Sequence, residues 1–161
     1  MHIGLDSAFE RARRMIGTTT HRRLGAVRAA ESVAFARASA ERDPRFLDSG
    51  RDDFRVHPMY LPSMLRGPDG ADSDEYRPDG MFVDEVPGTA GLDVRLLAGG
   101  QTIEFCSTPP LGEHIEVTRT VCGVDRKGRD GHEFLVITVS KTYRVMGSLT
   151  LAVVTERFIV R

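Results

Sequence analysis

Nowhere do the 161 residues hold the ~18 consecutive apolar side chains that a membrane-spanning helix needs. The first 30 residues carry no apolar core of the kind that marks a secretory leader, so none is expected. An excess of charge of either sign is missing too. The 22 basic and 23 acidic residues leave a formal net charge of -1 and a pI near 6.5, which argues against a surface built on phosphate contacts, and hence against nucleic acid as a partner. Metal chemistry lacks its ligands, because no two of the five histidines stand at metal-ligand spacing and no Cys/His cluster exists. The two cysteines, Cys106 and Cys122, form no Cys-x-x-Cys pair and are expected as free thiols packed on strands in a reducing cytoplasm. Ser39 and Ser63 have no base at a telling spacing, which leaves a serine nucleophile without support. Lysine is nearly absent beside arginine, a bias read as genomic composition before function. There is no internal repeat and no long low-complexity tract. What remains is a single domain, 1–161, with room for a real core.

The C-terminal half supplies the clearest pattern. Gln101 to Ser107, Ile115 to Val124, Glu133 to Met146 and Thr150 to Val160 alternate apolar and polar residues or run rich in β-branched ones, as strands do. Turn residues divide them: Pro109, Pro110 and Gly112, then Lys127 to Gly131, then Gly147-Ser148. These connections are too short for helical crossovers, so neighbouring strands are expected to pair as antiparallel hairpins. A sheet of this length has an apolar face that needs a cover.

The N-terminal half must provide that cover. Asp6 to Ile16 reads as a short helix capped by Asp6 and stopped by Gly17, and a short extended piece is placed near Arg23 to Val27. Ala29 to Ala40 reads as a second helix that ends before the Asp43-Pro44 step. Val56 to Arg66 is apolar almost all round, with Pro58 suited to a first turn, and is taken as the helix that the sheet wraps. Gly67 to Gly91 reads as a long loop close to any pocket mouth. The whole is an α+β pattern, and an antiparallel sheet curled around one apolar helix is the hot-dog arrangement.

Several stretches, taken in order, resemble a MaoC-like dehydratase domain of the type that forms the N-terminal, non-catalytic half of double hot-dog hydratases. They are Val33 to Ala38, Asp43-Pro44, Pro58 to Leu61, Ala98 to Gly100 with Glu104-Phe105, Pro110 to Gly112, Lys127 to Gly131, and Glu156 to Arg161. The segment Leu65 to Arg161 is most similar to mesaconyl-CoA hydratases and related acyl-thioester dehydratases. The resemblance implies reversible hydration of a 2-enoyl thioester by an Asp and a His in a pattern Asp-x-Asn-Pro-x-His. A backbone N–H at the start of the central helix would stabilise the enolate oxygen. Matched residue by residue, Pro44 takes the place of the motif proline, Asp43 of its Asn, Glu41 of its Asp and Phe46 of its His. A phenyl ring carries no proton, so the dyad is incomplete, and the resemblance implies a subunit that shapes an acyl tunnel beside an active hot-dog partner.

The residues themselves leave several roles open. Glu41 and His57 are the candidate acid–base groups, although a histidine at a helix start also serves structure. Phe46, Met59, Leu61, Met64 and Leu65 either line an acyl tunnel or fill the core. Gly99 and Gly100 form a strand bulge, with or without close approach of a pantetheine arm. The Arg126 to Arg129 turn either meets phosphates of CoA or an acidic carrier protein, or is a charged tip. His114 and His132 are expected in solvent, and His2 and His21 fall in weakly patterned stretches. Three readings follow: a subunit of a heteromeric (R)-specific enoyl-thioester hydratase or 3-hydroxyacyl-thioester dehydratase, a non-enzymatic acyl-thioester binding or assembly module, and an active homodimer using Glu41 and His57. In each, CoA or phosphopantetheine enters only as part of the substrate, and no further cofactor, membrane or nucleic acid is expected.

Overall fold

The computed structural model describes residues 3–67, 70–129 and 131–161. Met1, His2, Pro68, Asp69 and Asp130, the last four falling in segments read above, lie outside the described residues.

The long strands form where period-two patterning is strongest. Strand β1 spans Thr19–Ala26, β2 Leu96–Phe105, β3 His114–Lys127, β4 Phe134–Val145 and β5 Thr150–Val160. They make one antiparallel sheet in the order β1-β3-β4-β5-β2. The short turns join β3 to β4 and β4 to β5 as hairpins, as expected. The expectation of hairpins throughout fails at β2, which pairs with β5 instead of β3. Pro109 and Pro110 cannot both continue a ladder, so the chain leaves the sheet there and crosses to the other side.

One sheet face is largely apolar, in two stretches. On β4, Leu135, Ile137, Val139, Tyr143 and Val145 are buried, while the residues between them are partly or fully exposed. Two separate clusters cover this face. Helix α1 (Ile3–Met15) lays Leu5, Ala8 and Ala12, spaced three and four apart, against Leu96, Leu135, Ile137, Val139, Phe158 and Val160. The small alanines let the helix approach closely. Gly88 sits under it with φ +79°, and a Cβ there would lie 2.5 Å from the Ala12 nitrogen. The second cluster joins Leu24, Val27, Val56, Tyr60 and Leu61 to Ile115, Tyr143, Val145, Leu151 and Val154.

That second cluster corrects the central-helix expectation. Helix α2 (Ala29–Ala38) forms where read but stops two residues short of Ala40, which is left-handed at φ 57°, and Val56 to Arg66 contains only one helical turn, α4 (Tyr60–Ser63). Pro62 has no N–H to give, and Leu65 turns left-handed at φ 41°, so the helix does not extend. Tyr60 and Leu61 are still buried against the sheet, so the segment keeps its place while losing its length. Among the described residues the long helix on the sheet is α1. Segment 67–91 carries buried Phe82, Val86 and Thr89 and therefore fills space under the sheet instead of standing off it. Packing of the two thiols is also corrected, since Cys106 lies just past β2 and Cys122 at the β3 bulge, both exposed and free.

Candidate functional site

The turn after α2 holds the residues matched to the dyad. Asp43 opens the short helix α3 (Pro44–Leu47) by accepting the Arg45 N–H at 3.0 Å, and Pro44 fits its first position. The Arg45 guanidinium, within 2.5 Å of the same carboxyl, holds Asp43 down at about 2. Glu41 lies beside it and accepts the backbone N–H groups of Asp43 at 2.9 Å and Arg42 at 2.6 Å, which keep its carboxyl below the usual range. Its other oxygen is 3.3 Å from His57 Nε2.

Glu41 and His57, sixteen positions apart, therefore meet. Their contact is a clamp. His57 Nδ1 accepts the Met59 N–H at 3.2 Å and its backbone N–H donates to the buried Ser32 hydroxyl at 3.2 Å, so both ring nitrogens are engaged. Phe35 and Phe46 flank the ring with centroids 5.3 and 5.1 Å away. Nearby, Tyr60 donates to Glu31 at 2.9 Å, and burial pushes its phenol far above the ordinary value. The pair ties α2, the Glu41 to Phe46 turn and the Val56 to Met59 segment together, and neither member lines either of two cavities described next.

The first cavity, about 300 Å³, is lined by Phe46, Val56, Pro58, Leu61 and the run Phe105 to Pro109. It lies at the end of β2, an edge strand, where Phe105 is 47% exposed. The second cavity, about 520 Å³, lies between the two apolar clusters and takes in Leu65 and part of segment 67–91. Its floor is a polar stripe across the sheet: Thr20 stands opposite Arg119, Arg119 opposite Lys141, and Glu156 opposite Gln101. Lys141 Nζ sits 3.1 Å from Glu85 and 2.8 Å from Glu156, although the second contact lacks hydrogen-bond alignment.

Of the sequence-derived candidates, Phe46 and Leu61 share the first cavity and Leu65 lines the second. Met64 packs on the cluster beneath, and Met59 lines neither cavity. Gly99 and Gly100 form a bulge in β2, with Gly100 at φ +100° and no room for a Cβ at Gly99 against the Arg157 carbonyl. They too stand outside both cavities. Arg126 is held by Asp6 at 2.6 Å and lies over the Phe9 ring, which makes that hairpin a brace for α1. His114 and His132 are exposed as expected, and His21 meets Thr118 at 3.2 Å. The polar stripe was missed by the sequence reading; its signal is a charge at the inward positions 119, 141 and 156 of otherwise apolar-inward strands.

No protein-family model matches the chain, and no curated protein sequence does. Solved structures do. The chain superimposes on one from the ChsH1-ChsH2 complex of Mycobacterium tuberculosis with a TM-score of 0.68 at 13% identity, over 96% of this chain and 89% of that one. It matches a MaoC-like dehydratase from Phytophthora capsici with a TM-score of 0.68 at 12% identity, over 98% of this chain but only 50% of the other. An (R)-hydratase from A. caviae involved in PHA biosynthesis matches with a TM-score of 0.57 at 19% identity, over 89% and 94%. The fold is the hot-dog fold. At these identities the likeness defines the architecture alone.

Proposed function

We propose that the chain is the non-catalytic subunit of a heteromeric enoyl-thioester hydratase or dehydratase, and that it shapes one wall of the acyl site while a hot-dog partner supplies the Asp and His. The observation that carries this reading is Phe46. It occupies the place of the proton-carrying His and lines the cavity at the free edge of the sheet. Hydration needs a group to activate water and another to protonate the α-carbon, and a phenyl ring does neither. The acid–base pair beside it, Glu41 and His57, has its atoms committed to backbone and to each other. An edge strand leaves N–H and C=O groups unpaired, and a second sheet would both satisfy them and close the cavity. Two of the similar structures are themselves complexes, ChsH1-ChsH2 and HadBC, a 3R-hydroxyacyl-ACP dehydratase, which favours a heteromer over a binding module.

The test is co-expression with a co-encoded hot-dog protein that carries both Asp and His, followed by size-exclusion chromatography with light scattering. A stable complex burying more than ~1,000 Å² is expected. A chain that stays monomeric beside that partner at micromolar concentration would favour the binding-module reading instead.

A further inference from the structure

The polar stripe beneath the second cavity ties Glu85 to the sheet through Arg119 and Lys141, yet its cations are more than that tether needs. Arg119 and Lys141 are direct cross-strand neighbours, a like-charge pairing that costs stability unless something offsets it. Apolar residues there would merge the two clusters into one core, and buried ion groups are commonly less stabilising than such a core. One of only two lysines in the chain is spent at this position.

The cations around the cavity are not equally satisfied. Arg66 is paired with Asp84 and lies 3.4 Å from Glu75; Arg22 reaches Glu75 at 3.9 Å; Lys141 is held by Glu85 and Glu156. Arg119 alone among these four has no carboxylate within ion-pair reach among the described residues. It gives one N–H to the Glu85 carbonyl and lines the cavity, and its other N–H donors have no protein partner among the described residues. Tyr143, buried and lining the same space, is kept protonated by burial and by the nearby carboxylates and so remains a donor. The volume, about 520 Å³, suits a small molecule.

We propose that this cavity binds a short organic carboxylate, with Arg119 as its principal anchor and Tyr143 as a second donor. The site is separate from the cavity at the β2 edge and does not depend on the hydratase reading. A carboxylate matches the guanidinium fork in two parallel hydrogen bonds and would give Arg119 the acidic partner that Arg22, Arg66 and Lys141 already have.

The test uses succinate as probe and succinamide as its neutral counterpart, read by NMR shifts of the Arg119 Nε–H and by calorimetry. Saturable binding of succinate with no response to succinamide is expected. Arg119→Gln, which retains a donor for the Glu85 carbonyl, should weaken binding at least ~10-fold, because a charge-assisted bond is lost. Substitution of the exposed Arg14 of α1, Arg14→Gln, should leave it unchanged. If Arg119→Gln does not fold, Tyr143→Phe and Arg119→Lys take its place, each with a weaker but measurable loss. Equal response to acid and amide, binding that survives these substitutions, or no saturable binding of succinate overturns the proposal.

Discussion

At the scale of the residue, Glu41 and His57 meet at 3.3 Å with their polar atoms already engaged. A poised base needs a free lone pair in reach of substrate, and here the oxygens of Glu41 face two backbone N–H groups and an imidazole. Glu41→Gln should therefore change activity measured with a catalytic partner by less than ~3-fold, against the ~10²–10⁴-fold cost of removing a general base. Steady-state rates of the complex decide between the two. The neighbouring Asp43 gives a pH prediction. Its carboxyl drops from 3.8 to about 2 on folding, so its stabilising effect is fully present above the unfolded value and disappears as pH falls through the folded one. Thermal melts of the protein and of Asp43→Asn should differ by a constant amount above about pH 4 and converge toward pH 2. Gly88→Ala should be the harsher change. A left-handed backbone and contact with the backbone of α1 leave no way to yield, and a loss of about 2–3 kcal/mol is expected from denaturant midpoints.

At the scale of the element, the strands were readable because their alternation is the cause of their placement. Leu135, Ile137 and Val139 point inward for the same reason that they alternate. Strand β1 was caught only at its end. Thr19 to Arg23 is an exposed edge segment, so burial imposes no apolar pattern on it, and only Leu24 and the following residues carry a signal. Pro58 to Arg66 was read as a long helix because apolar side chains surround it, yet a turn packed between a sheet and α2 is apolar all round as well. Phe46 was legible through a short local motif. The Glu41–His57 contact was not, since it depends on the path of the intervening loop. The edge strand carries its own prediction. Phe105→Asp adds a charge at an already exposed position beside the open cavity, so the fold should survive with circular dichroism unchanged, while partner association weakens at least ~10-fold. Light scattering of the mixture gives the answer, and undiminished association would move the interface elsewhere.

At the scale of the whole molecule, the proposed function makes the chain one half of a site. The apolar parts of the sheet are covered by α1 and the Tyr60-Leu61 turn, and the proposed function puts the missing chemistry at the β2 end. On the proposed function, a self-paired dimer would hold two copies of Phe46 and no proton carrier at position 46 of either, and the proposal therefore calls for an unlike partner. The decisive measurement is hydration of crotonyl-CoA by the purified chain, by a dyad-bearing hot-dog partner, and by their equimolar mixture. The chain alone should stay at the uncatalysed rate, and the mixture should exceed it by at least ~10²-fold, the scale that a restored acid–base pair contributes. Robust turnover by the chain alone, abolished by Glu41→Gln, would contradict the account and make Glu41 and His57 the active dyad.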